Sequence, residues 1–82
     1  MSRRTALMKA ARMNLCGWNI AVYQQPPYTC VDCGTLLSGY AVRGIGFAKC
    51  NRTDKWDAER GKQIALGRAL RDAVNQYMAA NP

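Results

Sequence analysis

The sequence predicts one α+β domain, ordered helix, strand, strand, strand, helix, with an antiparallel three-stranded meander and both helices on one face. Three observations lead there. Apolar residues recur at helical spacing near both ends of the chain and alternate residue by residue between them. Pro26-Pro27 and Ser38-Gly39 cut the alternating stretch into three pieces. The connections between pieces are short, which favours antiparallel neighbours, and 82 residues leave no room for a second domain.

The first helix is expected over residues 3–15. Ser2 can cap it, its alanines favour it, and Leu7, Ala11 and Leu15 share a face, with Gly17 at the stop. Arg3, Arg4, Lys9 and Arg12 give it a polar face with no acidic residue, read as a positive stripe. Trp18 to Gln24 alternates as a half-buried strand, with Trp18, Ile20 and Val22 on one side and Tyr23 on the other. A second strand lies within Tyr28 to Leu37, and a third runs from Tyr40 to Cys50. In the third, Val42, Gly44, Gly46 and Ala48 share one face, and Ile45 and Phe47 take the other. After a polar loop, Asp57 is positioned to cap a last helix that continues to about Ala79. Its Leu66, Leu70, Ala73, Val74 and Tyr77 form a core-facing stripe. Gly61, Ala65 and Ala69 form a flatter stripe suited to close approach against the glycines of the third strand, while Arg68, Arg71, Asp72 and Asn75 are expected to face water.

Composition narrows function. Twelve Lys and Arg against five Asp and Glu give a net charge of +7, which favours polyanionic partners. No His is present, which removes the commonest general base and with it the hydrolytic triads. No apolar run reaches the roughly 18 residues of a membrane span, and Lys9 and Arg12 interrupt any secretory leader. A soluble, cytoplasmic, non-enzymatic protein with no membrane partner is expected.

Four cysteines raise the question of zinc. Cys30 and Cys33 have knuckle spacing, and Cys16 and Cys50 would complete a set of four thiolates. The meander places Cys16 and Cys50 at opposite ends of a sheet about 20 Å long, so free thiols and no metal are expected. Gly44-Ile45-Gly46 lies within a strand and lacks the third glycine of a dinucleotide fingerprint, so no cofactor is expected. Trp56, just before the helix cap, is read as packing on the core rather than stacking on a base.

Several local features resemble the double-stranded-RNA-binding domain, as found in small phage and bacterial proteins. Gln24-Gln25-Pro26-Pro27 falls at that family's proline-bearing loop. Gly44 to Lys49 is similar to its glycine-rich third strand, and Gly61 to Leu70 to the start of its last helix. The resemblance implies the same helix–meander–helix fold and duplex-RNA recognition by shape through phosphate contacts. The family's lysine cluster is reduced here to Arg60 and Lys62, after a loop holding Arg52 and Lys55, and its loop histidine is absent.

Two functions are compatible with these residues. In the first, the chain binds nucleic acid: Arg52, Lys55, Arg60 and Lys62 contact phosphates at the start of the last helix, with Arg3, Arg4, Lys9 and Arg12 as a second patch. In the second, a phage-type protein inhibits a host enzyme or defence complex, as anti-CRISPR proteins do, by docking on an acidic or nucleic-acid-handling host protein.

Overall fold

A computed structural model describes residues 2–51 and 53–82. The chain runs α1 (Arg3–Met13), a short 3-10 turn (Leu15–Gly17), β1 (Asn19–Gln25), β2 (Tyr28–Leu37), β3 (Tyr40–Lys49) and α2 (Ala58–Ala80). The strands form one antiparallel sheet in the order β1-β2-β3. This is the expected α+β meander flanked by two helices.

Both helix starts rest on the anticipated caps. The Thr5 amide donates to Ser2 Oγ at 3.1 Å, and the Arg60 amide donates to Asp57 Oδ1 at 3.1 Å. The first helix ends two residues sooner than its apolar spacing suggests. Asn14 leaves the helical region, and the Gly17 and Trp18 amides close a tighter turn onto the Asn14 and Leu15 carbonyls. Leu15 is thereby turned outward, so of the anticipated apolar face only Ala11 is fully buried. Trp18 falls just before β1 and joins the core.

The core lies between α2 and one face of the sheet. Val31, Cys33, Val42 and Ala48 from the strands meet Ala65, Leu66, Ala69, Leu70 and Ala73 from α2, with Val74 also buried. Contact this close depends on Gly44 and Gly46. A Cβ on Gly44 would overlap the Ala69 carbonyl oxygen, and one on Gly46 would overlap that of Ala65. The spacing has a simple metric origin. Two strand residues rise about 6.6 Å and four helical residues about 6 Å, so glycines two apart keep step with alanines four apart. The anticipated pairing of the two small-residue stripes is what the structure contains. The first helix sits on the same side, adding Ala11 to the core and lying chiefly against α2.

Arg68 and Asp72 do more than face water. The Ile45 amide donates to Asp72 Oδ2 at 3.0 Å, and Arg68 Nη1 donates to the Phe47 carbonyl at 2.6 Å. Both backbone groups belong to the outer edge of β3, so two α2 side chains satisfy polar atoms that an edge strand otherwise offers to another strand. Among the described residues, no helix is long and apolar enough to cross a membrane.

Candidate functional site

The helix pair creates the most uniform charge arrangement in the described chain. Where α1 lies against α2, a shallow groove is lined by Arg4, Thr5, Met8 and Arg12 from one helix and Gln63, Ile64, Gly67, Arg68 and Arg71 from the other. Four guanidinium groups line it, and none of its lining residues is acidic. Gly67 belongs to this construction. A glycine in mid-helix costs about 1 kcal/mol relative to alanine, and the space beside Gly67 is taken by Arg12, whose Nη2 lies 2.9 Å from where a Cβ would stand.

Among the described residues, none of the four groove arginines is in an ion pair. Asp32 pairs with Arg43 on the far face of the sheet, in the only ion pair among the described residues. That guanidinium, bonded through Nε to Asp32 Oδ1 at 2.9 Å, holds the Asp32 carboxyl below the usual carboxylate range. Asp57 caps α2, Asp72 serves the β3 edge, and Glu59 accepts from Gln63 at 2.9 Å.

The anticipated site residues are distributed unevenly. Arg4 and Arg12 come together in the groove, but Arg3 lies over the Tyr77 ring at 5.6 Å, and Lys9 is exposed outside the groove. At about 100° per residue, Arg60 falls on the same side of α2 as Gly67 and Arg71 and continues the row. Lys62 points to the opposite side and is half-buried. Lys55 and Arg60 share a second cleft with Lys49 and Trp56, and there Asp54, Asp57 and Glu59 offset the cations. Arg52 lies outside the described residues. Among the described residues, the cations whose cleft holds no acidic residue therefore line the groove between the helices rather than the cleft at the start of α2.

Trp56 is half-buried, its ring tip 3.9 Å from the Gly61 Cβ position, which fits packing over the first turn of α2. Gln24 anchors the same turn, donating from Nε2 to the Ala58 carbonyl at 2.7 Å and to Thr29 Oγ1 at 3.3 Å. The register of β1 and β2 thus fixes where Arg60 begins its row.

The four thiols do not converge. Cys30 and Cys33 lie three apart within β2, so they point to opposite faces of the sheet, and the knuckle spacing is strand rather than turn. Cys16 stands beyond the Asn19 end of the sheet and Cys50 beyond the Lys49 end. Burial pushes the Cys33 thiol up to about 11, keeping it protonated at neutral pH. The Cys50 thiol sits among the carbonyls of Asn51, Asp54 and Lys55, inside the turn that leads to α2.

The fold as a class is an antiparallel meander backed by two helices, and a solved protein shares it. The crystal structure of Rv2632c matches with a TM-score of 0.67 and 25% sequence identity, over 77% of this chain and 75% of that one. No family model and no curated protein matches the sequence.

Proposed function

We propose that this chain is a non-enzymatic, cytoplasmic protein that acts by binding nucleic acid along the groove between α1 and α2. The observation that carries the reading is the set of four arginines lining one groove with no acidic residue among its lining. Like charges held together oppose the compact state, and a bound polyanion relieves that opposition. All four are arginine rather than lysine, and a guanidinium grips a phosphate through two parallel N–H donors. Arg60 extends the row along α2, and Arg60 to Arg71 covers roughly 16 Å of helix at 1.5 Å per residue. That length suits several consecutive phosphates. Contacts of this kind fix the position of a nucleic acid without reading its sequence. The absence of His from the sequence, which removes the commonest general base, favours binding over catalysis.

The test is a binding titration of Arg12→Ala, Arg71→Ala and the double variant on duplex RNA, duplex DNA and single strands. Each substitution should weaken binding roughly tenfold, about 1.4 kcal/mol, and equally across sequences. Wild-type affinity in the double variant would refute the groove as the site.

A further inference from the structure

The sheet has a second face, and among the described residues no element packs over it. Helix α2 lies over the side bearing Val31, Cys33, Gly44 and Gly46. On the other side, the register sets Tyr23, Cys30 and Phe47 in one row across all three strands, and Tyr28 in the next row between Gln25 and Lys49. Tyr23 is 63% exposed, Tyr28 57% and Phe47 65%. Three large rings therefore stand outward on a rigid surface, with the small Cys30 between two of them. None is needed by the core.

From this arrangement we propose a second binding site, for the unpaired bases of a single-stranded nucleic acid, with Tyr23 and Phe47 as the stacking rings. The inference rests on the reading of the chain as a nucleic-acid binder and adds a site on the face away from the groove. Aromatic rings on an open antiparallel sheet offer flat surfaces to bases, and stacking tolerates any sequence because every base has a π-face. Charge selects the occupant. The one carboxylate on this face, Asp32, is neutralised by Arg43. Lys49 Nζ stands 5.6 Å from the centroid of the Tyr28 ring, placing a cation at the rim of the platform. Arg68, which lines the groove, also donates to the Phe47 carbonyl, so its cation stands at the β3 edge that borders both sites. A strand whose bases lie on the rings meets cations where its phosphates run. A second copy of the chain, itself carrying +7, meets repulsion in the same place.

The decisive comparison needs no substitution. Fluorescence anisotropy measures the affinity of the intact protein for a 12-nucleotide oligothymidine, for an abasic strand of the same length, and for a 12-base-pair duplex. Stacking predicts that the base-bearing strand binds at least about tenfold more tightly than the abasic one. In Tyr23→Ala/Phe47→Ala that difference should vanish while duplex affinity stays unchanged. Equal affinity for the two strands, with duplex binding intact, overturns the stacking site and leaves the groove standing. Failure of all three ligands to bind overturns both. A wild-type dimer that becomes a monomer in the double variant, with no change in base preference, assigns the face to self-association and overturns the proposal.

Discussion

Two glycines and one cysteine show how much a single position decides. Gly46 faces the backbone of α2, and backbone cannot rotate out of the way as a side chain can. Gly46→Ala should therefore destabilise the fold by about 1–3 kcal/mol or more through overpacking, measured as a lower urea midpoint. The alternation of β3 made this legible from sequence, because glycines two apart on one strand face have few uses except close approach. Cys33 was less legible. The CxxC spacing suggests a metal ligand until strand register sends the two thiols to opposite faces, and register is a property of pairing rather than of either residue. Cys33 should resist alkylation at pH 8 while exposed Cys16 reacts readily. The folded-state pKa of Cys33 is raised from 9.0 to about 11, so its contribution to stability is complete below pH 9 and falls as pH rises towards 11. The slope is about 1.4 kcal/mol per pH unit at most, and comparing wild type with Cys33→Ala across pH 8–11 isolates it from tyrosine and lysine titration.

At the scale of elements, α2 organises the molecule. One side presses its alanines on β3, another satisfies the β3 edge through Arg68 and Asp72, and a third builds the groove with α1. The first of these was readable as a periodic stripe beginning after an Asp cap. The groove was not, because it depends on how two distant helices lie against each other. Arg4 and Arg12 are more than fifty residues from Arg68 and Arg71, and no one-dimensional pattern joins them. Gly67 was the available signal: a mid-helix glycine outside the sheet-facing stripe, with Arg12 in its space. Gly67→Ala should raise stability by about 0.5–1 kcal/mol from helix propensity, since only the end of a flexible side chain has to move. A thermal melt checks the direction. A destabilised variant would show that Arg12 is held more rigidly than a surface arginine.

On the scale of the whole molecule, the two faces differ in character. The helical side concentrates charge, while the outer face of the sheet carries rings around one neutralised ion pair. Net charge was evident from composition, and it pointed to a polyanion without locating it. The loop before α2 seemed the natural place because four cations fall within eleven residues there, but three carboxylates fold into the same cleft. Asp54, Asp57 and Glu59 are interleaved with those cations in the sequence, so the dilution of charge at this loop was itself legible there. The most direct test of the central claim is the salt dependence of binding to duplex RNA and duplex DNA. Each phosphate contact adds about 0.9 to the slope of log affinity against log salt on duplex DNA. Contacts from the four groove arginines, Arg4, Arg12, Arg68 and Arg71, predict a slope of about −3 to −4, flattened by about one unit in each alanine variant. Millimolar binding at low salt on every nucleic acid, or a slope unmoved by those four substitutions, would contradict the account.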